Sequence, residues 1–306
     1  MIDYNPKRWS SQLLAVRGSI APKVFFRVGL VVLWTMCVVS LHRFVRHIEI
    51  PPTVHGLIGV ALGLLLVFRT NSSYDRYWEG RKAWARILNE SRNIARSSRT
   101  LLAGHPALSN PVILWTAAFP YACMNSLRGA RGLGPMEARL PAGDVGEVLA
   151  APHVPTAVAM RITSPLVENR PSGTFAERAV IAIDGMVRGL VEHIGECERI
   201  QNTPLPFAYV VHLRRALVLY LLTLPFALVE SFGWLTVLYT LLSAYILMGI
   251  DEIGVEIENP FGEDKNDLPL LTICETAERD LMALMIPPVQ PGGSTQDAPG
   301  TGQSPK

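Results

Sequence analysis

At 306 residues, 49% hydrophobic and 18% charged, with a formal net charge of +2, the chain is too apolar for an ordinary soluble domain and suits a membrane protein with a sizeable polar part. The near-neutral balance excludes nucleic-acid binding by bulk electrostatics. Cys37, Cys123, Cys197 and Cys274 are scattered singly, which gives neither a disulfide framework nor metal-ligand spacing and fits a reduced cytosolic side.

Lys7, Arg8 and Arg17 precede an apolar run that continues to Leu41 with no small-residue cleavage site, so the run reads as an uncleaved span over residues 24–41. Arg27 lies near one end, where it can snorkel. A link with His42, Arg43, Arg46, Pro51 and Pro52 leads to a second span, 54–70. The run from Pro111 to Leu127 is short, interrupted by Pro120 and flanked by basic residues, so it reads as a buried core helix. Gly132 to Pro155, rich in Gly, Pro and Ala, reads as a loop or insertion. Phe175 to Ile200 regains helical spacing through Ile181, Val187, Leu190, Val191 and Ile194. Spans 214–229 and 232–250 form a hairpin in which Pro225 should kink or break the first arm. Residues 286–306 are expected to be a disordered tail.

Nothing alternates with strand periodicity, so the fold class is an all-α membrane protein with four transmembrane helices and a helical cytosolic region, about 71–212 and 251–285, in one domain of residues 1–285. Lys7, Arg8, Arg17 and Lys23 before the first span, and the basic run 69–99 after the second, place both termini in the cytosol by the positive-inside rule.

The stretch from Pro52 to Arg99 has the most to say about function. On a helical wheel Gly56, Gly59 and Gly63 share one face, where Gly59-x-x-x-Gly63 would let another helix approach closely. Val60, Leu64 and Phe68 form a neighbouring file. Such files, packed as a ring, would make a hydrophobic constriction that gates by dewetting; alternatively they face lipid or core. Further along, Arg81, Lys82, Arg86, Arg92, Arg96 and Arg99 share one half of the helix, and Tyr77, Trp84, Ile87, Leu88, Ile94 and Leu102 the other. The basic half falls in phase with the apolar file, which would favour anions, unless Asp75, Glu79, Glu90 or acids elsewhere neutralise it.

Three smaller constellations remain. Thr203-Pro-Leu-Pro-Phe207 is a proline-pinned turn able to hold Leu205 in a defined place. Glu192, His193 and Cys197 offer two metal-capable side chains four apart, or a plain helix face. Glu256 to Leu268 concentrates carboxylates, with Asp264, Asn266 and Asp267 as hard oxygen donors for calcium, or as a capped loop whose acids pair with the arginines of 81–99.

Taken together, Phe68-Arg-Thr-Asn-Ser-Ser-Tyr-Asp-Arg-Tyr-Trp-Glu-Gly-Arg-Lys-Ala-Trp84, Thr203-Pro-Leu-Pro-Phe-Ala-Tyr209 and Asn259-Pro-Phe-Gly-Glu-Asp-Lys-Asn-Asp-Leu-Pro-Leu270 resemble the bestrophin family, in particular its prokaryotic branch, over roughly residues 5–285. The resemblance implies a homopentameric ion channel, four membrane helices per subunit and one pore on the five-fold axis. It implies a neck lined by Val60, Leu64 and Phe68 and a cytosolic aperture at Thr203 and Leu205. Animal relatives hold calcium in an acidic clasp that matches Asn259, Asp264 and Asp267, with Glu256 upstream; Lys265 and Asn266 depart from that pattern.

The expected function is a passive channel for monovalent ions, leaning to chloride or other anions, in a bacterial inner membrane. Its partners would be copies of itself, membrane lipids and the permeant ions. No cofactor is required, with calcium the one candidate. A sodium-type cation channel of the same fold, a membrane-anchored scaffold or lipid-binding protein, and an enzyme built on Glu192, His193 and Cys197 are the alternatives.

Overall fold

A computed structural model describes residues 15, 18–44, 50–168 and 174–285. Lys7, Arg8, Arg17, Arg46 and the tail 286–306, on which part of the orientation and disorder expectations rest, lie outside the described residues. The order of elements is α1 (Ala21–Phe44), α2 (Pro52–Leu101), α3 (Pro106–Leu127), a 3-10 turn (Gly134–Arg139), α4 (Ala142–Ala150), α5 (Val154–Glu168), α6 (Thr174–Asn202), α7 (Phe207–Phe232), α8 (Leu235–Glu256) and α9 (Leu270–Met282). Among the described residues there is no strand.

Among the described residues four helices are long and apolar enough to cross a membrane: α1, α2, α7 and α8. They pack around Val24, Val28, Leu62, Leu66, Leu221 and Met248, and leave large apolar side chains such as Phe25 and Leu238 exposed on their outer faces. A water-facing bundle would not tolerate that much exposed hydrocarbon, whereas a bilayer solvates it. The protein is an integral membrane protein.

α7 runs through Pro225 without a break. Proline lacks the N–H that would close on the carbonyl of Leu221, and α1 braces the same turn one residue on: the Trp34 indole Nε1–H donates to the carbonyl of Leu222 at 2.9 Å.

A second core lies beyond the membrane helices, where the lower half of α2 packs with α3, α5, α6 and α9. α3 is its centre, with Ile113, Phe119, Tyr121 and Cys123 fully buried. α6 contributes Ala179, Ile183, Val187, Leu190, Ile194 and Cys197, in steps of three and four; Ile181, one of the apolar residues of the helical spacing, is exposed. The stretch 132–155, expected as a loop, instead contains the 3-10 turn, α4 and the start of α5. The reason is local: Val145 and Val148, three apart, bury one face of α4, enough to outweigh its glycines.

Candidate functional site

α2 is one unbroken helix of 50 residues, about 75 Å long at 1.5 Å per residue, so it carries a single rotational register from the membrane core into the second core. Among its buried residues, Leu62, Leu66, Arg69, Ser73, Gly80, Trp84, Ile87, Ser91 and Ile94 recur in steps of three, four and seven, the spacing of a helix packed along one seam. Val60, Leu64 and Phe68 fall on the opposite side, 75%, 55% and 55% exposed. Steps of seven from Phe68 reach Asp75, Lys82, Asn89 and Arg96, all exposed. The face turned away from the seam is therefore apolar at the membrane level, then acidic, then basic.

The glycines divide differently from the expected packing face. A Cβ on Gly59 would meet the Tyr220 hydroxyl at 2.7 Å, whereas Gly56 and Gly63 have nothing within 4 Å; within the chain only Gly59 serves a close approach, to a tyrosine stacked on His55. Gly80 does not break the helix. It makes room for Pro260 and Phe261, whose side chains lie 2.8 and 3.0 Å from where its Cβ would stand.

Register is locked at the base of the membrane helices. Arg69, 1% exposed, is ion-paired with Asp251 of α8, and Arg214 Nε of α7 approaches the same carboxylate at 3.7 Å. One carboxylate thus ties α2, α7 and α8 together.

The turn between α6 and α7 is held by Arg76 of α2. Its Nε donates to the carbonyl of Glu258 at 3.1 Å, its Nη1 to that of Thr203 and its Nη2 to that of Ile200 at 2.7 Å. Thr203 is exposed and Leu205 half-buried; the Leu205 N–H donates to Glu258 Oε1 at 3.1 Å.

The six basic residues from Arg81 to Arg99 are all exposed, but they divide. Arg86 Nη1 pairs with Glu196 at 2.8 Å and Arg92 Nη2 with Asp280 at 2.9 Å. Among the described residues Arg81, Lys82, Arg96 and Arg99 form no ion pair; of the neutralisation weighed from sequence, acids elsewhere in the chain take Arg86 and Arg92, and Asp75, Glu79 and Glu90 take none of the six. Lys82, Arg86 and Arg199, with Glu79, Glu196 and Ile200, border a small polar cavity of about 190 Å³.

The acids after α8 do not reach those arginines either. Lys23 Nζ lies 3.7 Å from Glu256 Oε2 and 3.5 Å from Asp264 Oδ1, while Lys265 is exposed. Asn266 Nδ2 donates to Glu256 Oε1 at 2.9 Å, the Asp264 N–H to Asp267 Oδ2 at 2.7 Å, and the Phe261 N–H to Asn259 Oδ1 at 3.3 Å. Burial pushes the Asp267 carboxyl up to about 6, with the Asp264 and Glu256 carboxylates adding to the rise. Arg128 fastens the loop by donating to the carbonyls of Phe261 and Gly262.

The model of the bacterial/fungal bestrophin proteins matches residues 1–283. The chain belongs to the bestrophin family. Bestrophin relatives include two proteins named voltage-dependent anion channel-forming. That of Nostoc sp. is 37% identical, covering 90% of this chain and 91% of its own; that of Ralstonia nicotianae is 36% identical, covering 90% and 92%. A crystal structure of a bacterial bestrophin homologue from Klebsiella pneumoniae superposes with a TM-score of 0.80 at 28% identity, covering 86% of this chain and 98% of that one.

The bestrophin resemblance pointed to Asn259, Asp264, Asp267 and Glu256 as calcium ligands. In this chain an oxygen of each side chain is already engaged by an N–H donor or the Lys23 ammonium, and among the described residues no three His, Cys, Asp or Glu side chains group to hold a metal. The pair weighed for an enzyme site stays on one helix, α6. Cys197 is fully buried, its thiol pushed up to about 12 by burial, with Glu196 and Glu198 adding, while His193 lies 3.5 Å from Glu196.

Arg76, Glu258, Asp251 and Lys23 went unrecognised as site residues in the sequence. Their partners lie 37 to 241 positions away or are backbone carbonyls, so no local spacing announces them. Asp75 was visible in one respect: it sits seven residues after Phe68, within the same wheel.

Proposed function

We propose that this bestrophin is a passive ion channel in which five copies of the chain surround one pathway, with the Val60, Leu64 and Phe68 files of α2 turned inward as its neck. The observation that carries this reading is the exposure of three large apolar side chains on the α2 face opposite the packed seam, continued below by charge. A ring of such files is narrow and unwettable, and opens when the side chains move apart. Thr203 and Leu205 form a second narrow point on the cytosolic side. Lipid covers the outer faces of α1, α7 and α8, and the basic residues of lower α2 support an orientation with the second core and both termini on the cytosolic side of a bacterial inner membrane.

Selection leans to monovalent anions. Lys82 and Arg96, free of carboxylate partners among the described residues, raise the local anion concentration in the vestibule, in keeping with the anion-channel names of the relatives. A second reading, monovalent cation conduction, is favoured by Asp75, which stands between the neck and the first of these cations. At the acidic loop the Lys23 ammonium, 3.7 Å from Glu256 and 3.5 Å from Asp264, supports a resting state in which a cation of the chain itself balances these carboxylates.

Purified protein in planar bilayers, under asymmetric potassium chloride, tests these statements. A reversal potential near that of chloride is expected. A value near that of potassium makes the cation reading correct, and the absence of any current leaves a membrane-anchored scaffold.

A further inference from the structure

Arg76 joins three segments at one point. It lies two helical turns below Phe68 on α2, and each of its three guanidinium nitrogens takes a different backbone carbonyl: Glu258 after α8, Thr203 in the α6–α7 turn and Ile200 in the last turn of α6. Carbonyls at a helix C-terminus lack intrahelical partners and carry the negative end of the helix dipole, so a guanidinium is a strong ligand for them. A planar fork can serve several acceptors at once in a way that a lysine ammonium on a flexible stem cannot.

Glu258 extends the chain of bonds. Its carbonyl is held by Arg76, and its carboxylate Oε1 accepts the Leu205 N–H at 3.1 Å. Pro204 and Pro206 on either side of Leu205 have no N–H and fix their own φ, and the Thr203 N–H is spent on Arg199 O at 3.1 Å. Every N–H of the turn 203–206 is thereby committed, and the one at Leu205 is committed to Glu258.

We propose that Arg76 and Glu258 are positioning residues that fix where Leu205 stands and tie it to the rotation of α2, so that the Phe68 constriction and the Leu205 constriction move together. This rests on the channel reading above. A turn of α2 that swings Phe68 aside carries Arg76 with it, and Arg76 cannot move without pulling the carbonyls of Ile200, Thr203 and Glu258. Ion preference at the aperture then depends on two residues that need not touch the ion.

The test compares full-length wild type with Glu258→Ala, Glu258→Gln and Arg76→Lys in planar bilayers, reading permeability ratios from reversal potentials and open probability from single channels. Wild-type current is the control for the channel reading; without it that reading fails, whatever the variants do. Given wild-type current, Glu258→Ala changes the permeability ratio between chloride and a larger anion by about two- to tenfold, the net worth of one hydrogen bond. Glu258→Gln, which keeps an acceptor oxygen for the Leu205 N–H, restores the wild-type ratio. Arg76→Lys and Phe68→Ala are non-additive in open probability, as coupled sites are. Should Arg76→Lys fail to assemble, the Glu258 pair decides alone, because it leaves the carbonyl held by Arg76 in place. Wild-type ratios in Glu258→Ala, or equal ratios in Glu258→Ala and Glu258→Gln, overturn the proposal.

Discussion

Phe68 and Arg69 are neighbours in sequence, about 100° apart around α2, and meet different surroundings: Phe68 is 55% exposed, while Arg69 is 1% exposed and paired with Asp251. The pair fixes the rotation of the helix, because Arg69 cannot leave its pocket without stranding a buried charge. Asp251→Asn removes one partner and leaves the guanidinium uncompensated, which costs about 3–5 kcal/mol for a buried pair. Thermal unfolding of the detergent-solubilised protein should show that loss. A change below about 1 kcal/mol means that other contacts set the register.

Asp75 and Lys82 follow Phe68 at steps of seven on the exposed face. A unit charge about 4 Å from an ion in water is worth about 1 kcal/mol, or roughly fivefold in occupancy. Asp75→Asn should therefore move the reversal potential toward that of chloride, and Lys82→Gln should move it away. Both shifts should shrink as ionic strength rises. Shifts of the same sign in the two variants contradict the alignment of both residues with the pathway.

Asp267 gives a pH dependence. Its folded pKa of about 6 stands above the ordinary 3.8, so the folded state favours the protonated carboxyl. The stability this supplies is fully present below about pH 4 and is lost as the pH rises through 6. Asp267→Asn keeps an acceptor oxygen for the Asp264 N–H and removes the titration. Melting curves from pH 4 to 7 should show a smaller decline in this variant than in wild type, and identical declines contradict the assignment.

Lys23 predicts the response to chelation. With its ammonium between Glu256 and Asp264, wild-type current should be unchanged when calcium is removed by a chelator. Currents that vanish on chelation and return with calcium contradict the placement of Lys23 as the resident cation.

Much of the architecture was legible in the sequence because hydropathy and period report burial directly. The four apolar helices, the buried α3 and the two-sided character of α2 all follow from where Leu, Val, Ile and Trp fall. α4 was not legible, since two glycines in nine residues hide the Val145 and Val148 pair. The charges of the site were harder. Whether Arg86 is neutralised depends on Glu196, 110 residues away, and nothing in the spacing of Arg81, Lys82, Arg86 and Arg92 distinguishes the paired from the unpaired. Arg76 is the extreme case, since its acceptors are backbone carbonyls, which every residue possesses.

The most direct test of the neck is the single-channel conductance of Val60→Ala/Leu64→Ala/Phe68→Ala against wild type in planar bilayers. Widening and wetting an apolar constriction should raise the unitary current and lengthen openings. A triple variant that assembles normally and conducts as wild type does would contradict the placement of these side chains in the pathway.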